Sequence, residues 1–286
     1  MIQPIFRLLI IVGLYFMVPA SSGCQPINYE NPPGYSLDKP KTFWLNESLH
    51  EISGICFVGK NTDTIYAIED ENGKLFYLHL GDKDYQHWKF GKKGDFEDVT
   101  VLNEKEFIVL RSDGSLFKFP TTQIRSAKEE AVQVMEHILP EGEYEGLFAD
   151  TDGKIYAMCK NCPVDKHKAV TIYVLQEDPS GKLSITDHFT VKVSKEQLTS
   201  INDKIRFHPS ALTRHPLTGD WYILSAVNKS LLILDSRWQI KGYYQIRPKD
   251  FRQPEGICFD PQGNLYISNE GAEGSANIQF FPYHPK

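Results

Sequence analysis

The sequence predicts an all-β fold, a five-bladed β-propeller of four-stranded blades. A short phrase recurs five times, and each copy is followed by β-like runs separated by turns. The copies return with a period of about 45 residues, which is typical of radial β-repeats. No interval shows the helical spacing of a βαβ unit. The five copies are Glu51–Ser53, Asp95–Glu97, Glu143–Glu145, His208–Ser210 and Gln253–Glu255.

The number of strands predicts how the ring closes. Each phrase starts the innermost strand of a blade, and the fifth repeat ends after its third strand, near Ile278. A spare β-like run, Thr42–Leu45, precedes the first repeat. We expect this run to complete the last blade, because closure removes the exposed strand edges that promote aggregation.

One interval between copies is longer than the others. Its excess lies between Glu177 and Arg206, in a polar stretch that predicts an inserted loop or short helix. A sixth blade would have to come from residues 177–206, which are too polar to supply four strands. Five blades is therefore the prediction.

The N-terminus predicts export. Residues 1–23 contain one basic residue, Arg7, then an apolar run and small residues before Cys24, which is typical of a signal peptide. We expect Cys24 to be lipidated, although Ser21 stands where such signals prefer an apolar residue, and simple secretion is the alternative. We expect residues 24–41 to form a lipid anchor and a flexible tether. We expect residues 42–286 to form the propeller.

These features place the protein in the cell envelope as a membrane-anchored lipoprotein, periplasmic or surface-facing. The 286 residues carry a formal net charge of −6. This charge argues against nucleic acid as a partner, because phosphate contacts need a basic surface.

The ordered phrases resemble those of the SdiA-regulated family of bacterial envelope proteins. The resemblance rests on Phe96–Val99, Tyr144–Leu147, Pro209–Leu212 and Gln253–Ile257 and extends from Thr42 to the C-terminus. It implies a five-bladed propeller with a calcium ion at a shared site and no established enzymatic activity.

Equivalent positions at the starts of the innermost strands should form a ring around the channel. We expect Glu97, Glu145 and Glu255 in this ring, with Ser53 and Ser210 from the other two blades. Carboxylates at close range repel unless a cation intervenes, and calcium suits an all-oxygen cage. Zinc would prefer His or Cys ligands. The alternative is that the glutamates accept backbone hydrogen bonds and join neighbouring blades.

A second ring is expected at the ends of the second strands, at one mouth of the channel. Its candidate residues are Asp70, Arg111, Asn269 and Glu270. Mixed charge there is typical of a ligand-binding mouth and equally of a solvated rim.

The cysteines divide into two groups. Cys56 and Cys258 lie in apolar strands and predict core packing. Cys159 and Cys162 lie in a predicted loop of an exported protein, which favours a local disulfide. A zinc site at this pair would need two further ligands.

Catalytic motifs with a Gly-x-Ser-x-Gly, His-Glu-x-x-His or phosphate-loop pattern do not occur. The predicted function is therefore a calcium-binding, non-catalytic scaffold with an unknown protein or small-molecule ligand. The alternative is a metal-dependent hydrolase of esterase, lactonase or phytase-like type that uses the same carboxylates.

Overall fold

The computed structural model describes residues 29–125, 132–165, 169–193 and 207–285. The predicted signal peptide of residues 1–23 and the lipidation site Cys24 lie outside these ranges. So does the part of the long interval from residue 194 to residue 206. Within the described ranges, no helix has the length and apolar character needed to cross a bilayer.

The described residues form five antiparallel sheets of four strands each, which confirms the predicted five-bladed propeller. Blade 1 contains β2 (Ile52–Val58), β3 (Asn61–Glu69), β4 (Lys74–Leu78) and β5 (Gln86–Lys89). Blade 2 contains β6 (Phe96–Leu102), β7 (Glu106–Arg111), β8 (Leu116–Pro120) and β9 (Gln133–Met135). Blade 3 contains β10 (Glu143–Ala149), β11 (Lys154–Asn161), β12 (Val170–Glu177) and β13 (Leu183–Val191). Blade 4 contains β14 (Ala211–Arg214), β15 (Trp221–Ser225), β16 (Ser230–Leu234) and β17 (Ile240–Gln245). Short 3₁₀ helices span Glu47–Leu49, Gln123–Arg125 and Pro163–Asp165.

Blade 5 is built from both ends of the described chain, as the sequence predicts. Its strands are β18 (Pro254–Phe259), β19 (Leu265–Asn269), β20 (Asn277–Phe281) and β1 (Lys41–Trp44). Strand β1 pairs antiparallel with β20, with Phe43 opposite Ile278. The N-terminal strand therefore closes the ring.

The hydrophobic core lies between the blades and is divided into five clusters, one for each pair of neighbouring blades. Between blades 3 and 4, for example, the Trp221 ring lies 4.5 Å from that of Tyr156 and 4.4 Å from that of Trp238, centroid to centroid. Because each strand alternates side chains between its two faces, each sheet contributes to two clusters. The blades are thus held face to face by apolar packing.

Residues at the C-terminal end of the predicted tether, which spans residues 24–41, pack against the propeller. Tyr35 and Leu37 are buried against blades 4 and 5. The Tyr35 hydroxyl donates to the Gly263 carbonyl at 2.6 Å, and the Leu37 amide donates to Asn31 Oδ1 at 2.7 Å. An aromatic residue and a leucine in a Pro- and Asn-rich stretch bury apolar area that a flexible linker would leave in water.

Side chains between blades satisfy the free edges of the innermost strands. Asp98 on β6 accepts a hydrogen bond from the Leu147 amide on β10 at 2.7 Å, and Thr100 accepts one from the Ala149 amide at 2.9 Å. An unpaired amide in this buried region would cost free energy. Blades 2 and 3 are therefore joined along the channel.

Candidate functional site

Each of the three predicted glutamate ligands lies at a β-bulge near the start of an innermost strand. In blade 2 the register shifts between Phe96 and Asp98, which leaves Glu97 without a partner residue on β7. The same shift occurs around Glu145 in blade 3 and Glu255 in blade 5. A bulge redirects the side chain of its extra residue. The repeat therefore presents all three carboxyl groups in the same way.

The innermost strands approach closely just after this ring. A Cβ atom at Gly54 would lie 2.6 Å from the Asp98 Cα on the next blade, and one at Gly256 would overlap the Ser53 carbonyl oxygen. Glycine is required at both positions because backbones meet there. The glutamates thus lie where the channel is narrow, at a neck between the innermost strands. We call this end of the channel, with the glutamates and the residues around them, the acidic mouth.

Burial perturbs all three carboxyl groups, and the charge of Glu145 adds to the shifts at Glu97 and Glu255. Burial, together with the charges of Glu145 and Asp95, raises the pKa of Glu97 well above its usual range. Burial also raises the pKa of Glu145, although the Lys160 ammonium opposes the shift. The pKa of Glu255 rises to about 7, mainly by burial and then by the charge of Glu145. The three groups therefore do not all ionise at neutral pH.

Glu97 and Glu145 interact with each other, and this interaction raises the pKa of Glu97 and lowers that of Glu145. Glu145, whose side chain is 8% exposed, is also ion-paired with Lys160. A second ammonium, that of Lys229, donates to the Arg252 carbonyl and is close enough to interact with Glu255. Two lysines thus face a larger number of acids at this mouth.

The residues at the ends of the second strands form a second ring at the same mouth. In blades 1, 2 and 5 their amides donate to the carbonyl of the residue two positions before the first ring. Burial and the charges of Glu51 and Glu69 raise the pKa of Asp70 to about 6. Burial and a hydrogen bond to Glu51 raise the pKa of Glu270 to about 8. The five positions of this second ring are Asp70, Ser112, Lys160, Ala226 and Glu270.

Two of the predicted mouth residues do not join the acidic group. Arg111 places its guanidinium on Asp113, with Nε and Nη2 at 3.0 and 2.6 Å from the carboxylate oxygens, and also contacts Ser115. Asn269 is buried inside blade 5, where its Nδ2 donates to Asn277 Oδ1 at 3.2 Å. In-register position alone does not determine where a side chain at the end of a second strand points.

The two predicted ring serines are buried and contribute to backbone bonding. The Ser210 hydroxyl accepts from the Ala226 amide of its own blade at 2.9 Å. The Ser53 carbonyl accepts from the Ser268 hydroxyl of blade 5 at 2.7 Å. The ring therefore offers a cation carboxylate groups from three blades.

The donor set fits a hard cation by charge and ligand type. Carboxylate oxygens are the ligands that calcium prefers, and a divalent ion could replace protons that Glu97 and Glu255 otherwise keep. Among the described residues, one group of three has ligand atoms within 4.8 Å of one another, and it is Cys159, Cys162 and Asp165. The three glutamates are not in such a group, so an ion held by all three would require their side chains to move closer together.

A disulfide joins Cys159 and Cys162, the pair for which the sequence favours a local bridge. Asp165 lies beside it and accepts a hydrogen bond from the Thr171 hydroxyl at 2.6 Å. Because the two sulfurs are bonded to each other, neither is a thiolate that could bind a metal. Cys56 and Cys258 are buried free thiols, as the sequence predicts.

Sequence reasoning left several residues out of the acidic mouth. Glu51 and Asp95 stand two positions before a ring residue, and Lys229 lies in the turn between β15 and β16. Residues two positions apart along a strand lie on the same face, so the positions of Glu51 and Asp95 before the ring residues were a signal that they face the same mouth. Lys229 carries no such signal, because it lies in a turn outside the repeated strand positions.

The opposite end of the channel is a cavity of about 540 Å³ lined by residues of all five innermost strands. Four residues beyond the first ring, the equivalent positions are mostly apolar. There Arg214 contacts Asp150 as an ion pair and lies over the Trp221 ring, 5.3 Å from its centroid. We call this end the cavity mouth. Its ring consists of Phe57, Val101, Ala149, Arg214 and Phe259.

Comparison with known proteins identifies the family of this chain. The SdiA-regulated family model matches residues 42–273. The chain belongs to the SdiA-regulated family. A sequence comparison with curated proteins gives no match.

Solved structures share the propeller architecture at low sequence identity. A luciferin-regenerating enzyme superposes with a TM-score of 0.52 at 11% identity, covering 85% of this chain and 95% of its own. Regucalcin from Agrobacterium tumefaciens, described as a calcium-binding protein, gives 0.50 at 12% identity, with coverages of 88% and 96%. At such identities the likeness concerns the fold alone.

Proposed function

We propose that the acidic mouth of this SdiA-regulated family member binds a calcium ion, with Glu97, Glu145 and Glu255 as its protein ligands. The observation that carries the proposal is that three bulged glutamates lie at one mouth of the channel and that burial raises the pKa of each. When bound, calcium supplies two positive charges where these acids meet, and it tolerates the irregular geometry that magnesium does not. The calcium-binding regucalcin propeller is a fold neighbour, and its likeness supports the architecture only.

The chain's own residues prepare the mouth for this role. Binding of the ion would favour the ionised form of Glu97, whose pKa is otherwise raised, and Glu145 would exchange its contact with Lys160 for the ion. The bulges keep the carboxyl groups directed to the neck, and the glycines beside it keep the strands close. An ion held by three blades would tie them together.

The role that we propose is non-catalytic binding in the cell envelope. Lipidation of Cys24 would anchor the propeller to a membrane, and the second ring would leave Asp70 and Glu270 to meet a protein or small-molecule ligand. Support comes from the leader pattern of residues 1–23 and from the acidic character of this mouth.

Thermal unfolding of the chain without residues 1–24 tests the calcium proposal. We expect calcium, added after EDTA, to raise the unfolding midpoint by about 5 °C, and magnesium to raise it less. Glu97→Gln should remove this response, whereas the control Glu104→Gln at the cavity mouth should keep it. If no ion moves the midpoint of the wild-type protein, the glutamates only join blades and the proposal fails.

The envelope part of the proposal has its own test. In cells fed a labelled fatty acid, the wild-type chain should carry the label and fractionate with membranes. Cys24→Ser should lose both the label and the membrane association. An unlabelled, soluble wild-type chain would show simple secretion instead.

One observation keeps a hydrolase as the second candidate. The raised pKa of Glu97 favours its protonated form beside Glu145, and a proton donor next to a carboxylate is an arrangement used in general acid–base catalysis. A screen of ester, lactone and phytate substrates with calcium present decides between the candidates. Turnover that disappears in Glu145→Gln while the fold is retained would favour the hydrolase, and no turnover favours the binding role.

A further inference from the structure

Lys160 lies within the short loop closed by the Cys159–Cys162 disulfide. Its ammonium is ion-paired with Glu145, one of the three glutamates of the acidic mouth. Resting on the calcium proposal above, we propose that Lys160 is an internal counter-cation that sets calcium affinity, and that the disulfide holds it in place. Reduction of the disulfide would then strengthen calcium binding.

The disulfide is built into the wall of the mouth. The bridge encloses two residues, and the loop before β10 packs against it. A Cβ atom at Gly142 would lie 3.0 Å from the Cys159 sulfur and 2.6 Å from the Cys162 sulfur. Cys159 Sγ also lies 3.3 Å from the Glu143 carbonyl oxygen. The chain on both sides of Lys160 is therefore fixed relative to the strand that carries Glu145.

The register of blade 3 is irregular at this point. Strand β11 pairs Cys159 with Tyr144 and then Asn161 with Glu143, which leaves Lys160 as the extra residue of a bulge. A bulge redirects its extra side chain, here toward the neck. The side chain of Lys160 is 33% exposed and that of Glu145 is 8% exposed, so this ion pair is shielded from solvent mainly on the glutamate side.

Lys160 is the one cationic residue among the five positions of the second ring, all of which the structure describes. The other blades place Asp70, Ser112, Ala226 and Glu270 there. Blade 3 thus supplies a positive charge where two other blades supply acids. The Lys160 ammonium also interacts with Glu97 and Glu255, so it faces the whole glutamate ring.

A calcium ion and an ammonium compete for the same carboxylate. With Lys160 in place, a divalent ion must displace it from Glu145 or bind beside a like charge, and both lower its affinity. Breaking the disulfide frees the segment of residues 159–162 and allows Lys160 to leave the ring. The glutamates then face the ion without an internal competitor.

The redox step is thiol–disulfide exchange with a dithiol reductant. One thiolate of the reductant attacks a sulfur of the bridge, the Cys159–Cys162 bond breaks, and a mixed disulfide forms. The second reductant thiol resolves it, so the protein gains two electrons and two protons as two S–H groups. The reductant leaves as its own disulfide.

Calorimetric titration with calcium chloride tests the inference on the chain without residues 1–24. We compare the oxidised wild type, wild type reduced with dithiothreitol, the Cys159→Ser/Cys162→Ser variant, Lys160→Gln and Lys160→Arg. Reduction, the double serine variant and Lys160→Gln should each tighten calcium binding by roughly tenfold. Lys160→Arg should bind like the oxidised wild type, because the positive charge is retained. Circular dichroism checks that each variant is folded.

Combining the variants separates this inference from general structural damage. Damage at the mouth would weaken binding, which is the opposite sign. In a Lys160→Gln background, the serine substitutions should change the affinity no further, because the competing charge is already gone. If the serine variant does not fold, the reduced wild type gives the same comparison.

The outcomes are distinguishable from failure of the calcium proposal itself. If no form binds calcium, the calcium proposal fails and this inference fails with it. If the wild type binds calcium but neither reduction nor Lys160→Gln tightens binding, the calcium proposal survives and this inference is wrong. If Lys160→Gln tightens calcium binding and reduction does not, Lys160 competes with calcium but the disulfide does not position it. This outcome overturns the proposed role of the disulfide.

Discussion

The two mouths of the channel are made by the same five strands and have opposite chemistry. At the start of these strands the repeat places Glu97, Glu145 and Glu255, and four residues later it places Val101, Ala149 and Phe259. The acidic mouth is a neck where backbones touch, whereas the cavity mouth opens into about 540 Å³. The repeat thus sets the geometry of both ends, and residue identity at each position sets what that end can bind.

The difference also concerns how charge is compensated. At the acidic mouth, Lys160 and Lys229 face more acids than they neutralise, and the pKa of Glu255 rises to about 7 by burial and by the charge of Glu145. At the cavity mouth, Arg214 and Asp150 form an ion pair. The acidic mouth therefore carries a deficit of positive charge that an external cation can fill.

The largest expected effect comes from widening the neck. Gly256→Ala would drive a Cβ atom into the Ser53 carbonyl of the neighbouring inner strand, so we expect a loss of about 3 kcal/mol in the free energy of unfolding. Urea denaturation of the variant and the wild type measures this difference in the free energy of unfolding. The matched control is Gly91→Ala, because a Cβ atom there meets its nearest neighbour, Phe96, at an ordinary 3.6 Å. Equal losses in the two variants would show that the neck is no tighter than the rest of the fold.

The next effect is the pH dependence of stability. Folding raises the pKa of Glu255 from 4.5 to about 7, mainly by burial. The folded protein therefore binds this proton more tightly than the unfolded chain does, and the stability gained from it is lost as pH rises through this interval. The metal-free protein should therefore become less stable between pH 5 and about 7.5, and Glu255→Gln should flatten the profile. Denaturation in EDTA at a series of pH values measures this slope.

Two conditions sharpen the pH experiment. Val101→Ala removes only apolar contacts at the cavity mouth and should shift the whole profile without changing its slope. Saturating calcium should reduce the slope, because the ion stabilises the ionised carboxylates. A wild-type profile that rises over this interval would mean that Glu255 is stabilised as a carboxylate without any ion.

The part of the structure that follows from repeated residues was predictable. The five phrases, their glycines and the spare run at Thr42–Leu45 predict five blades and closure by β1, and the structure confirms both. The glutamates repeat at one strand position, so their bulges and their common direction follow from the same pattern.

What breaks the repeat was not predictable. Arg111 turns to Asp113 because the β7–β8 turn offers it a carboxylate, and Lys229 interacts with Glu255 from the β15–β16 turn. Tyr35 packs on blade 5 although its neighbours in sequence are typical of a linker. Each depends on contacts between segments that share no periodic signal.

The smallest effect separates the mouths by function. Arg214→Met at the cavity mouth removes the ion pair with Asp150, and because the arginine side chain is 30% exposed we expect a loss of only about 1 kcal/mol. Methionine retains apolar contact with the Trp221 ring, so the loss reports mainly the charge. Calcium should raise the unfolding midpoint of this variant as much as that of the wild type. A reduced calcium response would mean that the two mouths are coupled through the inner strands, and that the cation site extends beyond the acidic mouth.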